Sequence, residues 1–368
     1  MEHVKIGVFQ RDSRADKADD RMVASRTVRL LRLFLPLSVG CAILVAGCNM
    51  VTLRPSGYVA AQQGQLVVIS TLLMLLIIVP VIVMTLWFAW RYRASNVSAP
   101  YTPDWDHSIQ LELLIWAAPL LIIIALGALT WIGTHTLDPY RSLSRIDGAR
   151  AVPTDVEPLV VEVVALDWKW LFIYPDLDIA VVNELAAPVD APIRFKITSS
   201  SVMNSFFIPA LAGQIYAMPS METKLHAVIN QPGEFEGFSA NYSGAGFSHM
   251  RFKFIGMSSA EFDRWVRKAK TEGSVLSRND YLQLEKPSER EGVRRYSTVA
   301  RDLFDAVVNR CVEQGKTCLR EMMAADMHRA SRPPATRDSM AMRLPDDAAV
   351  CTADGSAKSA LLPITYRD

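Results

Sequence analysis

Neither sign of charge prevails in this sequence, where 39 Lys and Arg stand against 38 Asp and Glu over 368 residues. A balanced chain offers no global field for nucleic acid, so no nucleic-acid partner is expected and any partner must be argued locally. Thiols and imidazoles are also sparse, at 5 Cys and 6 His. No internal repeat or low-complexity run is present, and the paired histidines that a bis-imidazole haem needs are missing. What the chain does have is apolar residues, half of the total, gathered into blocks.

Three uncharged apolar runs precede residue 135. The first, LFLPLSVGCAILVAG (33–47), follows Arg26, Arg29 and Arg32 and has the length of a signal-peptide core, short for a membrane span. It ends LVAG before Cys48, which resembles a bacterial lipobox: residues 1–47 are then a lipoprotein signal peptide and the Cys48 thiol carries lipid. The other reading is a retained membrane helix. Cleavage would also remove Cys41, leaving Cys311, Cys318 and Cys351. Cys311 and Cys318, with six residues between them, either pair as a disulfide in an oxidising compartment or remain free thiols.

The second and third runs, 66–90 and 113–133, the latter entered through Glu112 so that the expected helices are about 66–90 and 112–133, are long enough to cross a hydrocarbon layer of about 30 Å. Neither contains a His. Trp87, Trp90, Trp116 and Trp131 fall near their ends, where amphipathic rings settle, and membrane spans tolerate Pro80 and Pro119. Two transmembrane helices are therefore expected. A lipidated Cys48 on the outer face sends the first helix inward to Arg91 and Arg93, in keeping with the positive-inside rule. The second returns outward, which puts Glu112 at the cytoplasmic mouth and everything after about 134 outside the cytoplasm.

From about 155 the pattern becomes short alternating runs, such as VVEVVAL (160–166), WKWLFIY (168–174) and IRFKITS (193–199), punctuated by Pro and by Pro232-Gly233. Each suits a strand with one buried face, and together they imply an all-β sandwich or Greek-key barrel over about 150–257. In WKWLFIY, Trp168 and Trp170 are expected on one face, packing in the core or at a subunit interface, with Asp167 and Lys169 opposite, toward solvent or a partner. A helical arm is expected over 258–328: an amphipathic SAEFDRWVRKAK (259–270), then helices in DYLQLEKPSERE and STVARDLFDAVVNRCVEQ. The tail 329–368 lacks periodicity and reads as flexible.

Five motifs now occur in order on this architecture: HSIQLELLIWAAP (107–119), DWKWLFIYP (167–175), VMNSFFIPALAGQIYAMPSM (202–221), PGEFEGFSANYSGAGFSHM (232–250) and EFDRWVRKAK (261–270). From Cys48 to about residue 313 the chain resembles subunit II of the haem–copper respiratory oxidases, most closely the quinol-oxidising, bo3-type ubiquinol oxidase branch. The resemblance implies a membrane-anchored mixed α and β fold: a two-helix hairpin, an extracytoplasmic cupredoxin-like Greek-key sandwich and a C-terminal helical arm.

Relatives that oxidise cytochrome c hold two copper ions in the segment matching 232–250, using a His from the segment matching 202–221 and two Cys, a second His and Met from the loop itself. At those positions this sequence has Asn204, Ser239, Ser243, Phe247 and Met250, so only the Met remains. Neutral hydroxyl, carboxamide and phenyl groups cannot replace thiolate and imidazole ligands. No metal is expected here, and His249 and His226 are expected to be ordinary hydrogen-bonding residues. Asn241 takes the place of an acid that helps bind magnesium in copper-bearing relatives.

The resemblance implies subunit II of a proton-pumping terminal ubiquinol oxidase in the bacterial inner membrane, with its C-terminal domain in the periplasm. This chain would bind no cofactor itself. Haems and copper would lie in subunit I, ubiquinol would be the substrate of the complex, and partners would be subunit I, smaller subunits III and IV, and membrane lipid. Glu112 matches a Glu near a proton-channel entrance; its plainer reading is an interfacial acid at a helix N-terminus. Two rival functions are a dicopper cytochrome c oxidase subunit and a lipid-anchored scaffold unrelated to respiration.

Overall fold

A computed structural model describes residues 51–330 apart from Tyr101, Pro103 and Thr154. The expected signal peptide, Cys48 and the tail beyond 330 lie outside the described residues.

Helices α1 (Tyr58–Arg91) and α2 (Ile109–Thr136) form a hairpin, each longer than its apolar run. At ~1.5 Å per residue both exceed the hydrocarbon thickness. Pro80 and Pro119 lie inside them without ending them. Their apolar side chains point outward, with Leu86 66% and Ile123 64% exposed, the opposite of a soluble core and suited to lipid. The helices approach closely where Gly133 faces Leu66; a Cβ at Gly133 would lie 2.9 Å from a Leu66 methyl.

The start of α1 is built into the globular domain. Backbone N–H groups of Ser56 and Gly57 donate to Ala210 O at 3.0 and 2.8 Å, and Asn230 N donates to Ser56 O at 2.8 Å. Gly57 is required there, because a Cβ would sit 2.5 Å from the Leu211 carbonyl oxygen.

Ten strands follow: β1 (Leu159–Leu166), β2 (Lys169–Tyr174), β3 (Ile179–Val182), β4 (Glu184–Pro188), β5 (Pro192–Ser199), β6 (Asn204–Phe207), β7 (Ile215–Ala217), β8 (Thr223–Val228), β9 (Gly233–Ser239) and β10 (Arg251–Met257). The remainder is α3 (Ser259–Glu272), β11 (Ser274–Leu276), α4 (Arg278–Glu285), β12 (Arg294–Val299) and α5 (Leu303–Val308). A seven-stranded sheet runs β11-β12-β3-β2-β1-β5-β8 and a five-stranded sheet β4-β10-β9-β6-β7. A separate unit begins at about Arg320, where α6 (Leu319–Ala330) lies.

An aromatic core fills the sandwich. Phe206 stacks on Phe252 at 5.5 Å between ring centres, and Trp170 meets both edge-on. On the outer face of β1, β2 and β3 a second core gathers Leu171, Ile173, Tyr281, Leu284, Phe304 and Val307. Strand β2 is consequently buried at all six positions. The expectation of one buried face per strand fails here, and the unbroken KWLFIY run is its signature in the sequence.

The expected arm also differs. Ser258 caps α3, with Glu261 completing a capping box, and Ser277 with Asp280 does the same for α4. The third expected helix, 297–314, is helical only over Leu303–Val308; its first three residues complete β12 (Arg294–Val299), which pairs antiparallel with β3 and parallel with β11. Pairing with a sheet edge overrode local helical periodicity.

Candidate functional site

The residues at the copper-ligand positions converge although they come from distant parts of the chain. Asn204 opens β6, Ser239 closes β9, and Met250 ends the intervening loop; all three are buried. Ser239 Oγ donates to Asn204 Oδ1 at 3.1 Å, and Asn204 Nδ2 donates to Val202 O at 3.1 Å. Ser239 N donates to Met250 O at 3.2 Å, while the Ser243 hydroxyl reaches Met250 Sδ at 4.0 Å. Phe247 leans edge-on against Tyr242, 5.6 Å between centres. Asn241 Nδ2 donates to the backbone oxygen of Met203 at 3.2 Å.

This donor set does not fit a dicopper centre. The polar side chains at its heart, Asn204 and Ser239, satisfy one another, Phe247 contributes no lone pair, and thiolate is absent. Among the described residues no group of three or more His, Cys, Asp or Glu side chains is placed to hold a metal ion.

The loop's shape is held by Trp168. Its indole N–H donates to Ser243 O at 3.0 Å and its ring lies over Gly246, where a Cβ would be 2.5 Å from the ring. Gly244 adopts φ +112°, a conformation suited to glycine. Trp168 is outside β2: it sits at φ 65° in the two-residue turn joining β1 to β2, so it does not share a strand face with the core residue Trp170.

Lys169, expected to face solvent or a partner, is 1% exposed. Its ammonium donates to Lys286 O at 2.7 Å and Ser288 Oγ at 2.6 Å, latching the segment after α4 onto the hairpin that carries Trp168. Burial holds its pKa below the usual lysine range, partly offset by the Glu291 charge. From the same segment Arg290 donates to His249 Nε2 at 3.1 Å, a second contact with the loop. Sequence reasoning missed both contacts, since alternation alone placed Lys169 outward and nothing local marks Arg290. His226 Nδ1 lies 3.2 Å from Pro139 O.

Cys311 and Cys318 are joined, their sulfurs 1.98 Å apart. Glu112 lies in the first turn of α2, at the end of the hairpin away from the β domain. Its carboxylate is 2.8 Å from His107 Nδ1, and both side chains are more than half exposed.

A hairpin of apolar helices carrying a cupredoxin-like sandwich with a C-terminal arm defines the class of oxidase subunit II. A family profile described as "Cytochrome C oxidase subunit II, periplasmic domain" matches residues 176–255, and the "COX Aromatic Rich Motif" matches 270–315. The chain is 50% identical over 282 residues to cytochrome bo(3) ubiquinol oxidase subunit 2 of Pseudomonas putida, covering 77% of this chain and 87% of that one. It is 48% identical to ubiquinol oxidase subunit 2 of Acetobacter aceti, covering 73% and 84%. The crystallised periplasmic domain of cytochrome oxidase subunit II from Bradyrhizobium japonicum aligns with 24% identity and TM-score 0.30, over 30% of this chain and 93% of that one. The chain belongs to the ubiquinol oxidase subunit 2 family.

Proposed function

We propose that this chain is the copper-free subunit II of a terminal oxidase that takes electrons from ubiquinol and reduces O₂ to water. The observation that carries the reading is the hydrogen bond between Ser239 and Asn204, which occupies with neutral groups the positions where a cytochrome c oxidase would need thiolate and imidazole. Electrons entering through cytochrome c require such a relay; a membrane-dissolved quinol does not. Family membership supports the same donor.

In this reading the redox groups belong to subunit I, with smaller subunits III and IV beside it. This chain contributes assembly through its hairpin and β domain and, through Glu112, a carboxylate at a proton entrance. The exposed His107–Glu112 pair suits that role, because a proton arriving from water meets two titratable side chains in contact. The β domain faces the periplasm of an inner-membrane complex, and a lipid on Cys48 adds a further anchor. The test is purification from native membranes in mild detergent, followed by haem spectroscopy and oxygen-uptake assays. Turnover with ubiquinol and none with reduced cytochrome c is expected; the reverse preference overturns the reading.

A further inference from the structure

We infer that this chain binds an anionic phospholipid in a groove running between α1 and α2 and up under the β domain. The inference rests on α1 and α2 being membrane spans and is independent of the electron donor.

Two cavities join at this place. The lower one, about 620 Å³, lies between the helices and is lined by Leu66, Leu129 and Gly133 together with the hydroxyl-bearing Ser70, Thr130 and Thr134. The upper one, about 260 Å³, is lined by Gln63, Arg141 and Arg145, and the two share Gln63, Leu137, Asp138 and Pro139. The change from apolar to polar falls at the membrane boundary. The apolar run of α1 begins at Leu66, after the neutral polar Gln62, Gln63 and Gln65, and Trp131, 69% exposed, marks the same level on α2. A tail therefore has hydrocarbon-depth walls below, and a headgroup has hydrogen-bond donors above.

The upper cavity's chemistry selects an anion. Arg150 nearby is neutralised by Asp147 and Asp190. Arg141 and Arg145 have no carboxylate partner among the described residues; they donate to backbone oxygens of His135 at 3.4 Å and Gly148 at 2.8 Å. Gln63 reaches across Gly213, where a Cβ would lie 2.6 Å from its Nε2, so the missing side chain leaves that amide its place in the cavity. Asp138, the acid in the lining, accepts from Tyr140 N at 2.9 Å, and the two guanidiniums outnumber it. Two guanidiniums and an amide donor lining one cavity suit a phosphodiester, and the groove between two membrane-spanning helices directly beneath identifies the lipid-borne form.

The experiment is native mass spectrometry and lipid extraction on the oxidase complex, purified in mild detergent and exchanged with phosphatidylglycerol or phosphatidylcholine in mixed micelles. The unmodified complex is expected to retain phosphatidylglycerol in stoichiometric amount. Arg141→Gln/Arg145→Gln is expected to retain about tenfold less, the loss that follows from removing charge-assisted bonds to one headgroup. Ser70→Phe, which fills the lower groove and leaves the arginines intact, is expected to lose the lipid too. Arg264→Gln/Lys268→Gln, on the exposed side of α3, retains it. Equal retention in both groove variants and the unmodified complex, or preferential retention of phosphatidylcholine, overturns the inference. If the arginine variant fails to assemble, Ser70→Phe decides alone. Ubiquinol turnover measured on the same preparations separates this outcome from failure of the quinol-oxidase reading.

Discussion

Ser239 donates its hydroxyl proton to the carboxamide oxygen of Asn204 across 3.1 Å, joining the end of β9 to the start of β6. The bond links two strands through neutral groups at the positions that the resemblance matches to copper ligands. Supplying thiolates and imidazoles at those positions is therefore expected to create a copper site. The variant Asn204→His/Ser239→Cys/Ser243→Cys/Phe247→His, with Met250 retained, is expected to bind copper stoichiometrically and show thiolate-to-copper absorption in the visible region. The unaltered chain, treated identically, should show neither.

Replacing Glu112 by Ala is expected to slow oxygen consumption several-fold while the complex assembles with its full haem content. Glu112→Asp should recover part of the rate. Because the carboxylate contacts His107 at 2.8 Å and little else, its loss should leave thermal stability unchanged. An assembled Glu112→Ala complex with full turnover would remove Glu112 from the proton path.

Glu184 is a buried junction. Its Oε1 accepts from the Trp265 indole at 2.9 Å and from Arg295 at 2.7 Å, tying α3 and β12 to β4. Glu184→Ala leaves a largely buried guanidinium without its counter-charge, and we expect a loss of about 3 kcal/mol in denaturant unfolding of the β domain and arm. Glu184→Gln, which keeps an acceptor but not the charge, should cost less.

Glu285 is half-buried, and burial first, then the charges of Asp167 and Glu313, raise its pKa above the ordinary 4.5. A carboxyl with a raised folded-state pKa contributes stability below its unfolded pKa and loses that contribution as pH climbs through the folded value. Glu285→Gln should thus melt higher than the parent chain at neutral pH, the difference disappearing below about pH 4.5. A melting temperature difference independent of pH would contradict this account.

The Cys311–Cys318 disulfide closes a short loop after α5, and Cys311 belongs to the outer core. Closing so short a loop limits the unfolded chain modestly, so Cys311→Ser/Cys318→Ser is expected to cost about 2 kcal/mol. The effect should appear in the unfolding of the arm, with ubiquinol turnover of the assembled complex retained.

What the sequence determined by itself is whatever depends on local composition or on side-chain chemistry. Two long uncharged runs suffice to specify a membrane hairpin, because length and hydrophobicity alone decide whether a helix suits lipid. The incompatibility of Asn, Ser and Phe with copper likewise follows from their functional groups, wherever they sit. Tertiary structure decided the rest. That β2 is buried on both faces, that Lys169 points inward to grip the segment after α4, and that 297–299 is strand rather than the start of a helix all depend on distant neighbours supplying the second face, the acceptors and the sheet edge. Local periodicity carries no record of those neighbours, and the free energy of satisfying buried groups outweighs the local preference.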